Sequence, residues 1–145
     1  MMDEIKQLSK QINVNQERLN KKIQEVFVEL EELMQNADIK KITVGNLGEQ
    51  LVLKEAGGNG DICLCYIPSE VEANSYDGFP IKYFILTPVF DPLYSIPSPS
   101  RYAHFGWLLT NEDFQKELVN TFSSSNTQIQ QLEERIETSY SDWLS

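Results

Sequence analysis

Positive charge is scarce in this chain: 12 Lys and Arg stand against 22 Asp and Glu, a formal net charge of −10 over 145 residues. A surface of that sign repels phosphate backbones, which argues against nucleic-acid binding and favours, weakly, a basic protein partner. The deficit is uneven. Residues 1–36 carry five basic and seven acidic side chains, residues 37–110 five and eight, and residues 111–145 two and seven, so acid gathers toward the C-terminus.

Metal-binding and nucleophilic side chains are equally sparse. His104 is the single histidine, and Cys63 and Cys65 are the only cysteines. One imidazole and two thiols do not make a zinc site, so no metal is expected. The cysteines stand two apart in a strand-like run, on one face with their side chains parallel. That geometry disfavours a bridge and predicts two buried free thiols. Nucleophilic catalysis needs a base beside the nucleophile, and thiols inside the most apolar strand are suppressed as nucleophiles. No catalytic residue is assigned, and the chain is expected not to be an enzyme.

Long apolar runs are absent too. No stretch approaches the ~18 residues of a membrane helix, and Met1-Met2-Asp3-Glu4 has neither the basic head nor the apolar run of a signal peptide. A soluble, cytoplasmic protein without a membrane partner is the expectation. Gly57, Gly58 and Gly60 invite a phosphate-binding reading, but no helix signal follows them and no Lys-Ser/Thr pair closes the loop. A hairpin connection is expected there, and no cofactor.

What the sequence has in quantity is a periodic stripe. From Asp3 to Asn36 the apolar residues are Ile5, Leu8, Ile12, Leu19, Ile23, Val26, Leu30 and Leu33. With Asn15 included, the steps run three, four, three, four, four, three, four, three: a coiled-coil seam with a single stutter between Leu19 and Ile23. A polar residue on a seam lowers stability but fixes register when it meets its counterpart, so Asn15 points to a symmetric partner. Length argues the same way. A helix of 34 residues is roughly 50 Å long, whereas a compact chain of this size has a radius of gyration near ~15 Å. The rod overhangs its own domain. A homo-oligomer is expected, with these nine residues as its interface.

Four strand-like segments follow. Ile39 to Val44, with Lys40 and Lys41, reads as a charged edge strand; Gly45 to Gly48 is a tight turn, and Gln50 to Lys54 the next strand. Ile62 to Ile67 and Ile81 to Phe90 are apolar on both faces and predict inner strands. Pro68 to Pro80 between them is a polar loop. No connection has helical character, so an antiparallel meander is expected. Pro88, Pro92, Pro97 and Pro99 then interrupt pairing while large rings accumulate, which predicts an extended wrap against the sheet.

Thr110 to Asp113 has capping-box spacing, and Phe114, Leu118 and Phe122 lie on one helical face behind it. Ser123 to Asn126 is expected to break that helix. A last helix carries Ile129, Leu132, Ile136, Tyr140 and Trp143, a second and shorter seam.

The predicted architecture is α+β: a long N-terminal coiled-coil-like helix (1–36), an α+β domain (37–122) holding a four-stranded antiparallel meander, and a C-terminal amphipathic helix (123–145), with two C-terminal helices in all. Over Ile39 to Phe122 the element order resembles the RWD and ubiquitin-conjugating group of folds. No Pro follows Tyr94 and no Cys follows the sheet, so no transfer chemistry comes with that resemblance.

The function expected is a non-enzymatic interaction protein of adaptor, assembly-factor or inhibitor type, self-associating through its first helix and offering an acidic head to another, basic protein. The alternative is a nucleotide- or anion-binding protein in which Arg101, Tyr102, His104 and Trp107 hold the ligand by charge and stacking.

Overall fold

The computed structural model describes residues 1–55, 62–69, 83–87 and 105–144. In chain order they form α1 (Met2–Asn36), β1 (Lys41–Thr43), β2 (Gln50–Glu55), β3 (Ile62–Ile67), β4 (Phe84–Ile85), a short helix α2 over residues 105–109, and α3 (Glu112–Leu144). This is the α+β arrangement expected from the sequence. The glycine connection at 56–61, most of the Pro68 to Pro80 loop and most of the proline-rich wrap lie outside the described residues.

α1 runs for 35 residues because neither Pro nor Gly interrupts its hydrogen bonding. Its end is a Schellman cap. The Ile39 N–H donates to the Met34 carbonyl at 2.9 Å and the Asp38 N–H to the Gln35 carbonyl at 3.1 Å, with Asp38 in the left-handed region at φ 53°. Ile39 and Met34 are both buried, which supplies the apolar contact that accompanies this cap. The chain is thereby turned from α1 into the sheet.

The four strands pair antiparallel in the order β1-β2-β3-β4. Leu51 stands between Ile42 and Tyr66, and Tyr66 between Leu51 and Phe84. These residues share one face, because strand side chains alternate. α1 covers that face with Ile23, Phe27, Leu30 and Met34, joined by Phe105 and Leu108 of α2 and Phe114 of α3. Three rings lock the centre: Tyr66 and Phe105 centroids are 5.3 Å apart, and Phe84 and Phe105 5.6 Å, both edge to face. On the other face Cys63 and Cys65 pack with Val52, Tyr83 and Ile85. Both thiols are buried and neither forms a disulfide, as the spacing predicts.

β3 is covered on both faces from Cys63 to Tyr66, in keeping with an inner strand. β4 is not inner. Among the described residues it pairs only with β3, at the sheet edge. Its apolar character comes from being covered, and a side chain extends its pairing: Leu86 N–H donates to the Leu64 carbonyl at 2.8 Å, and the Leu64 N–H donates to Thr87 Oγ1 at 2.9 Å.

Two helix boundaries also differ from expectation. The N-cap of α3 is Asn111, whose Oδ1 accepts the Phe114 N–H at 3.0 Å, while Thr110 Oγ1 donates to the Trp107 carbonyl at 2.9 Å. The chain also stays helical through Ser123 to Asn126. Ser and Asn are weak helix formers, not breakers, each less favourable than Ala by about 0.5 kcal/mol. The two C-terminal helices are therefore 105–109 and Glu112–Leu144, divided at 110–111, with one departure from helical torsions at Tyr140.

Candidate functional site

α1 is a core helix at one end and a free rod at the other. Ile23, Phe27, Leu30 and Met34, at steps of four, three and four, are buried on the sheet, whereas residues 1–19 are all exposed. The apolar face does not stop where the domain does. At about 100° per residue, Ile5, Ile12 and Leu19 fall on the same side as Ile23, and each is about half exposed, at 51%, 54% and 45%. Leu8 is exposed to 55% and flanks this line; Asn15 is exposed beside it.

The nine-residue seam is consequently divided. Ile23 and Leu30 belong to this chain's own core and are not available to a partner; Ile5, Leu8, Ile12, Asn15 and Leu19 are. Val26 and Leu33 remain exposed on the flank, because the sheet takes the adjacent residues Phe27 and Met34 instead. A seam read by heptads lies on one line, and the sheet selects a line displaced from it. Phe27 and Met34 follow seam residues directly in sequence, so nothing local marks them as core.

A groove continues the exposed stripe onto the domain. Leu19, Lys22, Ile23 and Val26 of α1 face Gly106, Trp107, Leu109 and Thr110 across a volume of about 420 Å³. Gly106 permits that approach, since a Cβ there would lie 2.8 Å from Ile23 Cδ1. Trp107, 64% exposed, extends the apolar surface of α1. Of the four residues proposed from sequence for a ligand, Arg101, Tyr102 and His104 lie outside the described residues, and Trp107 is placed beside the α1 stripe. The placement of Trp107 in one groove with Leu19 and Val26 has no sequence signal, since the residues stand some 80 to 90 apart in the chain.

α3 repeats the pattern of α1. Phe114 is buried, and Leu118 and Phe122 pack on the core. Beyond them Ile129, Leu132, Ile136, Tyr140 and Trp143 are exposed, with the Tyr140 and Trp143 rings 5.8 Å apart. The lengths nearly match: 21 residues of α1 precede Ile23, and 22 of α3 follow Phe122. Among the described residues the two helices do not pack along one another.

The buried titratable groups lie elsewhere. Burial, then neighbouring Cys63, pushes the Cys65 thiol up to about 12, so it is a neutral apolar side chain at physiological pH. Burial also raises the Glu31 carboxyl, Glu32 adds to the rise, and a hydrogen bond from Thr87 works against it. A polar cleft of about 520 Å³ between the 43–49 turn and the start of α3 is rimmed by Glu49, Asp113 and Glu117 against Lys116. Among the described residues no three His, Cys, Asp or Glu side chains are grouped to hold a metal, and no helix is long and apolar enough to cross a membrane.

Comparison of the chain with family models, curated proteins and solved structures gives no match.

Proposed function

We propose that this chain is a non-enzymatic, cytoplasmic interaction protein that self-associates through the N-terminal half of α1 and presents its acidic domain to another protein. The observation that carries the reading is the uncovered stripe. Ile5, Leu8, Ile12 and Leu19 continue the face that α1 uses in the core, yet each leaves about half of its surface in water. An apolar face of such length, placed on a helix and not scattered, marks an interaction surface. Burying it against a second copy removes that surface from water, at roughly 25 cal/mol per Å².

Three further features support the reading. Cys65 is protonated and buried, which fits a packing role better than a nucleophilic one. Neither cysteine forms a disulfide, as is usual in a reducing compartment. The cleft at Glu49, Asp113 and Glu117 offers a basic partner a surface of opposite sign.

The test is molar mass by light scattering for the wild type and for a Leu8→Asp/Leu19→Asp double variant. Both positions are exposed, so the fold by circular dichroism is expected to persist while the dimer becomes monomer. A dimer that survives both substitutions removes α1 as the interface. Leu30→Asp is unsuitable for this purpose, because Leu30 is in the core.

A further inference from the structure

The two uncovered helix ends match each other step for step. From Ile5 the stripe of α1 advances by three, four, three and four residues through Leu8, Ile12 and Asn15 to Leu19, then by four to Ile23. From Phe122 the stripe of α3 advances by the same steps through Ser125, Ile129 and Leu132 to Ile136, then by four to Tyr140. Each has a single stutter, and it falls at the same distance from the start. A stutter changes the local winding, so two helices stay in register where their stutters coincide.

Two registers bring the stutters together. In the parallel one Ile5 faces Phe122, Ile12 faces Ile129 and Leu19 faces Ile136. In the antiparallel one Leu19 again faces Ile136, but Ile23 faces Leu132 and Leu30 faces Ser125. Ile23 and Leu30 are already buried in the domain. The parallel register alone keeps to uncovered positions of α1, from Ile5 to Leu19, and meets a residue already packed on the domain core only at Phe122; its five layers all precede the departure from helical torsions at Tyr140.

Connectivity then decides the occupant. α1 joins the domain by its C-terminal end and α3 by its N-terminal end. Laid side by side within one chain they run antiparallel, so a parallel pair needs two chains. Charge agrees. Residues 1–22 hold five basic and three acidic side chains, a net +2, and residues 123–144 hold one and four, a net −3. An α1 end is attracted to an α3 end and repelled by a second α1.

We propose that the free half of α1 pairs in parallel with the free half of α3 from a second copy of this chain, so that a two-fold dimer contains two such pairs. The inference rests on the self-association proposed above and names what covers the stripe. Asn15 then meets Leu132 in place of its own counterpart, a polar layer that lowers stability.

Cysteine cross-linking of the full chain tests it, with the buried Cys63 and Cys65 as the wild-type background. Ile12 and Ile129 are exposed, so Ile12→Cys and Ile129→Cys variants keep the fold. Mixed and oxidised, they are expected to form a covalent dimer several-fold faster than either variant alone. Faster cross-linking of Ile12→Cys by itself identifies α1 pairing with α1, which overturns this proposal and leaves self-association through α1 intact. Preferential cross-linking of Ile12→Cys with Trp143→Cys identifies the antiparallel register and overturns it as well. So does a dimeric mixture that cross-links no more than wild type, whereas a strictly monomeric wild type overturns both this proposal and the self-association.

Discussion

Gly106 lies against Ile23 so closely that a Cβ would stand 2.8 Å from the isoleucine Cδ1. That contact assigns Ile23 to the domain, although its spacing from Leu19 and Val26 places it on the seam. The stripe of α1 therefore divides in succession into a part that folds into the domain, from Ile23 onward, and an exposed part before it, whose proposed purpose is association.

Ile23→Ala and Ile12→Ala are expected to separate these purposes. Ile23 is 4% exposed, so its truncation loses buried methyl groups and leaves a cavity, costing about 2–5 kcal/mol of unfolding free energy. Ile12→Ala is expected to leave the unfolding free energy of dilute monomer within about 0.5 kcal/mol of wild type and to weaken the dimer. Urea unfolding and concentration-dependent light scattering check the two halves.

Thr87→Val tests the side-chain extension of the sheet. The substitution keeps the shape but deletes the oxygen that accepts the Leu64 N–H at 2.9 Å. Leu64 is fully buried, so the orphaned donor is expected to cost about 1–3 kcal/mol by urea unfolding. Thr87→Ser retains the oxygen and is expected to lose less. Equal losses in the two variants would mean that the methyl group, not the hydrogen bond, matters at this position.

Glu31 links stability to pH. Its carboxyl is raised by burial first and by Glu32 second, so the folded chain holds the proton more tightly than the unfolded chain. The associated stability is fully present below the unfolded value and is lost as pH rises through the folded one. Glu31→Gln removes the charge while keeping an oxygen that can accept from Thr87. It is expected to raise Tm near pH ~7 and to show a shrinking advantage toward pH ~4, where the wild-type carboxyl is also protonated. A variant that melts below wild type at neutral pH would mean that the ionised carboxylate is favourable in the fold.

Much of the fold was legible because its signals are local. The absence of Pro and Gly from 2 to 36, the stop at Asn36, the turn at Gly45 to Gly48 and the apolar run of β3 each act within a few residues. Errors arose where a local signal was degenerate. Thr110 and Asn111 can both cap a helix, and the polar run Ser123 to Asn126 can be either loop or exposed helix, since propensity differences of a few tenths of a kcal/mol decide neither. The overhang of α1 was readable from its length, but not which residues of either stripe it leaves exposed.

Local pattern was enough to specify the main element types and the antiparallel order of the strands, the burial of Cys63 and Cys65, the acidic balance and the two periodic stripes. These follow from backbone torsional preference, side-chain period and composition, all properties of neighbouring residues. Which part of each stripe is spent inside the domain is a matter of long-range packing. Sheet and α2 claim Ile23, Phe27, Leu30 and Met34, and among the described residues α1 has no buried position before Ile23. Burial is a competition among distant surfaces for the same apolar face, and its outcome depends on where the sheet ends, which no local pattern encodes.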